Sequence, residues 1–219
     1  MSTNTLQKAG GIAALLEALC YVVGFAVIAT VLNPGSTEGW SSAQRLEFVL
    51  ERDVIFQTWN LFIYVVFGVA LVVLAVALHE RLKVRSASLM NIATAFGLIW
   101  AGLVIASGMV TSVGLETVAA LYDRDPAQAD SVWLAVGAIQ EGLGGGVEIV
   151  GGIWVLLIGV VSLRYRVSPR ALGYLGVAVG MFGILTIVPS LGELGAAFGL
   201  GQIVWFAWMG TLMLKSTPD

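Results

Sequence analysis

Charge is scarce in this chain: of 219 residues only 11% are Asp, Glu, Lys or Arg, against about a quarter in soluble domains. It also holds one cysteine, Cys20, one histidine, His79, and five prolines. A lone Cys excludes a disulfide scaffold, and a lone His excludes zinc, di-iron or bis-His haem clusters built from one chain. With 11 basic against 14 acidic residues and a net charge of −3 there is no basic footprint for nucleic acid. No Walker loop, HExxH pair or nucleophile elbow occurs, and no Lys lies within an apolar stretch to carry a Schiff base. No catalytic residue and no metal site is therefore assigned, and no pattern names a cofactor. What the chain has is apolar surface, 58% of its residues with a mean hydropathy of +0.91. That composition excludes a disordered chain and requires an integral membrane protein, with the lipid bilayer as its first partner.

A spanning helix needs about 20 predominantly apolar residues. Six stretches satisfy this, near 10–32, 54–79, 88–115, 131–163, 171–188 and 196–214. None alternates at period two, so the expected fold is all-α, a polytopic bundle of six transmembrane helices forming one domain over 1–219, and not a barrel. The first span is expected to be retained, since its apolar run exceeds a signal peptide's and contains Glu17. Eight of the 11 cations, Lys8, Arg81, Lys83, Arg85, Arg164, Arg166, Arg170 and Lys215, fall on one side of a six-span model. The positive-inside rule makes that side, with both termini, cytoplasmic. Arg45, Arg52 and Arg124 fall on the other, acidic side.

Two outer loops carry structure of their own. After the breaker Asn33-Pro34-Gly35, Ser41 and Gln44 form a capping-box pattern ahead of Leu46, Val49 and Leu50, which predicts a short amphipathic helix at the outer interface with Trp40 at headgroup depth. Asp125-Pro126 predicts a capped start for helix four before the membrane. Unbroken from Pro126 to Leu163, that helix would run about 57 Å, beyond the roughly 30 Å hydrocarbon core. It must protrude, tilt or break, and Gly142-Leu143-Gly144-Gly145-Gly146 is the expected place. A shift of 83 residues also aligns Arg81 with Arg164, Gly68 with Gly151 and Gly97 with Gly180, the pattern of a duplicated hairpin.

Three acids lie inside apolar stretches: Glu17, Glu141 and Glu148. Each costs about 2.5–3.5 kcal/mol at mid-bilayer on insertion scales, and no Lys or Arg lies at their depth. Each must be protonated, wetted, hydrogen-bonded to neutral groups or matched to a cation from outside the chain. Glu148 lies about 22 Å up helix four from its cytoplasmic end and Glu17 about 9 Å up helix one, so the two are expected to be apart. Glu141, two turns above Glu148 on the same face, is expected to reach the outer water. Gln57 and Asn60 on helix two, Ser107 and Thr111 on helix three, and Gln202 on helix six stand at neighbouring depths. Together with Glu148 and Glu141 they predict a polar pocket opening outward, with Glu148 at its floor; scattered interhelical hydrogen bonds would need no ligand. The glycines Gly142, Gly144, Gly145, Gly146, Gly151, Gly152, Gly176, Gly180, Gly195 and Gly199 read first as close helix packing, and Gly144-Gly145-Gly146 alternatively as a local unwinding that exposes backbone carbonyls to a bound cation or ligand.

The stretches Ala77-Leu78-His79-Glu80-Arg81-Leu82, Thr94-Ala95-Phe96-Gly97-Leu98-Ile99-Trp100-Ala101-Gly102 and Gly144-Gly145-Gly146-Val147-Glu148-Ile149-Val150-Gly151-Gly152 resemble uncharacterised bacterial integral membrane proteins grouped as domains of unknown function. The resemblance covers helices two to six. It implies a multi-pass protein of the bacterial inner membrane and carries no activity with it. Two functions stay open. One is binding, and beyond that transport, of a small cationic or apolar solute around Glu148. The other is a non-catalytic partner subunit that packs through glycine-bearing helix faces, and monomer and homo-oligomer are equally compatible with either.

Overall fold

Breakers and caps set the helix ends in the computed structural model, which describes residues 3–215. In chain order the helices are α1 (Thr3–Ala29), α2 (Ser42–Leu50), α3 (Asp53–Leu82), α4 (Ala87–Tyr122), α5 (Pro126–Gln140), α6 (Ile149–Tyr165), α7 (Arg170–Leu185) and α8 (Leu194–Lys215). No strand occurs among the described residues. α1 stops where Asn33 Nδ2 donates to the Ala29 carbonyl at 3.1 Å and Gly35 turns the chain at φ +76°. The capping box of α2 is present, with Gln44 N–H donating to Ser41 Oγ (3.3 Å) and Ser41 N–H to Gln44 Oε1 (2.9 Å). α5 opens on Asp125, whose Oδ1 accepts from Gln128 N–H at 3.0 Å, with Pro126 at the first helical position.

The protein is an all-α, multi-pass membrane protein. Five of its helical segments are long and apolar enough to cross a membrane: Asn4–Ala29, Asp53–Leu82, Ala87–Tyr122, Pro126–Tyr165 and Leu194–Lys215. The sixth expected span, near 171–188, is the 16-residue helix Arg170–Leu185, ended by Thr186 and Pro189. At 1.5 Å per residue it measures about 24 Å, short of a full hydrocarbon core. The first two and last four residues, and with them the expected cytoplasmic placement of the chain ends, lie outside the described part.

The helices close into a ring, α1 against α3, α3 against α4, α4 against α6, α6 against α7, α7 against α8, and α8 back against α1. Bulky aromatics fill its centre. Trp100 and Trp154 have centroids 5.7 Å apart, Trp154 and Trp205 5.5 Å, and Phe67 and Phe206 5.9 Å, and all are buried. The tightest seam is α6 on α7. A Cβ on Gly152 would stand 2.7 Å from the Gly180 carbonyl, and one on Gly159 2.8 Å from the Val177 nitrogen, so only glycine permits this approach.

α4 is 36 residues long and projects beyond the ring. On its projecting end sit α5 and α2, joined by a second, small apolar cluster of Leu46, Val118 and Ala129. Ser42 Oγ donates to Asp130 Oδ2 beside it. The apolar face of α2 is thus covered in part by protein, while Trp40 packs edge-on against Phe48 with centroids 6.1 Å apart.

The fourth expected span is not one helix. After Gln140 the chain makes a π-helical turn over Glu141–Gly145, Gly144 takes φ +120°, and regular helix resumes only at Ile149. The break falls within the glycine run, where helical backbone is weakest.

Candidate functional site

The broken segment forms one wall of a cavity of about 390 Å³. α1 contributes Cys20, Tyr21, Gly24, Phe25 and Ile28 to it, and α3 contributes Trp59, Ile63, Tyr64 and Phe67. Trp100 and Val104 of α4, Gly144 to Gly146 and Glu148 of the break, Gly192 before α8, and Gly195, Ala196, Phe198 and Gly199 at its start complete the lining. These residues come from the end of the ring opposite the cationic loops, since Gly10 meets Ala77 and Met213 at the Lys8 end.

Glu148 is half-buried and held by its backbone. Its N–H donates to Thr186 Oγ1 at 2.8 Å, that hydroxyl donates on to the Gly183 carbonyl at 2.7 Å, and the Glu148 carbonyl accepts from Gly152 N–H at 2.8 Å. The break is thereby pinned to α7 while the side chain is left to the cavity. The two ion pairs among the described residues, Arg52 with Glu51 and Lys83 with Glu80, lie elsewhere. No cation of the described chain meets Glu148.

Of the seven residues expected to form the pocket, Glu148 alone lines it. Asn60 is buried and donates to the Gly108 carbonyl (2.8 Å) and to Ser112 Oγ (3.0 Å), tying α3 to α4. Ser107 Oγ donates to the Gln140 carbonyl at 3.2 Å, and Thr111 Oγ1 to the Ser107 carbonyl at 2.9 Å. Gln140 in turn donates to the Tyr64 hydroxyl at 2.8 Å, so this polar set positions the break and one cavity wall without facing the space itself. Gln57 is half-buried outside the lining. Gln202 is fully buried on α8 with neither side-chain polar atom partnered, and both Glu17 oxygens are likewise buried and unpartnered. Glu141 is exposed: the two-turn spacing that would align it with Glu148 requires regular helix, and Gly144 destroys that register.

The residues missed by sequence reasoning are the aromatics. Tyr21, Phe25, Trp59, Tyr64, Phe67, Trp100 and Phe198 all line the cavity, and Trp59 Nε1 donates to the Gly24 carbonyl at 3.3 Å to brace the α1–α3 wall. Their signal was the i, i+4 pair Tyr21 and Phe25 at the depth of Tyr64 and Phe67, which hydropathy cannot separate from core packing. Among the described residues no group of three or more His, Cys, Asp or Glu side chains could hold a metal.

No curated protein and no solved structure matches the chain. One family model does, over residues 9–214, which takes in the whole ring, the break and the cavity. The chain belongs to the family described as the domain of unknown function DUF4386.

Proposed function

We propose that the chain crosses a bacterial inner membrane six times, with the cationic loops cytoplasmic, and binds a small cationic or apolar solute in an outward-facing pocket around Glu148, transport of that solute being the wider role. For the sixth crossing, α7 supplies the support: Gly173 lies beside Leu163 at one end of the ring and Gly183 beside Phe198 at the other. A helix about 24 Å long can be accommodated by local thinning of the bilayer.

The observation that carries the binding role is a cavity that reaches an acid which no cation of the described chain meets. An ionised carboxylate so placed is costly until water or a ligand answers it. The partner-subunit role has less to rest on. Gly176 and Gly180, the glycines that would form an open packing groove, are buried inside the ring against Trp205 and Leu156.

Identification by mass spectrometry of small molecules copurifying with the protein in native lipid tests the role directly. Glu148→Gln, which keeps shape and removes charge, is expected to abolish binding of the identified solute or its pH dependence. Glu17→Gln, changing an acid outside the cavity, is expected to leave the isotherm unaltered. An unchanged isotherm for Glu148→Gln between pH 5 and 8 would return the partner-subunit role to the front.

A further inference from the structure

The cavity has two chemically distinct parts. One is Glu148 with the glycine backbone of the break. The other is a continuous aromatic wall. Phe25 stacks on Tyr21 with centroids 6.3 Å apart, Tyr21 meets Phe67 edge-on at 5.4 Å, Phe67 meets Trp100 at 5.6 Å, and Trp100 meets Phe198 at 6.1 Å. These rings come from four helices, α1, α3, α4 and α8, and all five line the same space as Glu148, Tyr21 and Phe25 facing it most openly and the buried Phe67, Trp100 and Phe198 backing them.

We propose, on the pocket reading just given, that the ligand is a monovalent organic ammonium ion with an apolar body, held by Glu148 and the aromatic wall, and neither an inorganic cation nor a neutral solute.

Three exclusions lead there. Calcium takes six to eight oxygen ligands and magnesium a near-ideal octahedron of them. Glu148 is the only carboxylate in the lining, whose other oxygen donors are two phenols and backbone carbonyls. A dehydrated divalent ion would therefore meet a single charged ligand and depend on neutral oxygens for the rest of its shell. A neutral apolar solute would fill the aromatic part but displace water from the Glu148 carboxyl without replacing its hydrogen bonds, a cost that falls on the acid in either protonation state. An anion would be repelled. An alkylated ammonium is weakly hydrated, needs one counter-charge, and is attracted to the faces of Trp, Tyr and Phe rings. Its carbon skeleton gains by leaving water for the same rings. The cavity, at about 390 Å³, lies within the range that suits a small organic molecule.

The test uses the full-length protein in lipid nanodiscs with benzyltrimethylammonium as probe and neopentylbenzene as its uncharged isostere, binding being read by calorimetry and tryptophan fluorescence. The ammonium is expected to bind at least about tenfold more tightly than the isostere, and Glu148→Gln to remove that preference. Glu148→Asp, which keeps the charge, is expected to retain it. Phe25→Leu, at a partly exposed ring, is expected to weaken the ammonium by about tenfold and serves if Glu148→Gln fails to fold. Potassium and calcium ions are expected not to compete. Equal binding of the isostere, or displacement of the ammonium by potassium or calcium, would overturn the ammonium class while leaving the pocket reading standing. Failure of every probe to bind the unaltered protein would overturn both.

Discussion

Single glycines decide how closely α6 and α7 approach. In lipid there is no hydrophobic gain from bringing two apolar helices together, so the association rests on packing and on backbone approach. Gly152 is the sharpest instance, because an added methyl would meet the Gly180 carbonyl and the Ile184 nitrogen, both at 2.7 Å, and neither backbone atom can swing aside. Gly152→Ala is expected to destabilise by about 1–3 kcal/mol through overpacking. Gly142, with open space where a Cβ would stand, is the control: Gly142→Ala should leave stability unchanged or raise it by up to about 1 kcal/mol. Thermal unfolding of both variants in one detergent, followed by tryptophan fluorescence, would show the contrast; equal midpoints would mean that the α6–α7 seam yields. Glycine spacing in the sequence pointed to close packing but not to the partner. That choice depends on which faces the ring turns inward, and hydropathy, nearly uniform around these helices, carries no record of it.

At the scale of elements, the break between α5 and α6 is the feature with the most consequence. It brings Glu148 to the cavity, exposes Glu141 and sets the short length of α6. Its place was legible, because several weak helix formers fall together between Gln140 and Glu148. Its consequence for side-chain direction was not. One residue at φ +120° undoes the helical register from which Glu141 and Glu148 were placed on one face. The same limit explains Asn60, Ser107 and Thr111, which lie at the expected depth but turn into the α3–α4 seam and toward α5, since depth follows from counting residues whereas azimuth follows from packing. Gly144→Ala places a Cβ in a backbone region that costs about 1–3 kcal/mol for a non-glycine residue. The expected result is a loss of stability of that order together with weakened ligand binding, because the segment that holds Glu148 must rearrange. Gly137→Ala, in regular helix and open space, should show neither effect.

For the whole molecule, five of the six expected spans were the most legible feature, because hydropathy integrates over a full helix and is insensitive to how that helix is packed. The aromatic cavity was the least, because it exists only once four helices are assembled. The proposed orientation in the membrane rests on charge alone. Lys8, Arg81, Lys83, Arg85, Arg164, Arg166, Arg170 and Lys215 gather at the ring end opposite the cavity, and in the proposed topology the positive-inside rule is applied to them to direct the cavity outward. The native chain suits a labelling test, since its one thiol, Cys20, is buried at 1% exposure. A cysteine in place of Lys83 is expected to react in intact cells with membrane-permeant maleimide and not with an impermeant one. A cysteine in place of the exposed Glu38, in the loop before α2, is expected to react with both. Reversal of the two patterns would place the Glu148 cavity on the cytoplasmic side, and a solute bound there would be drawn from inside the cell.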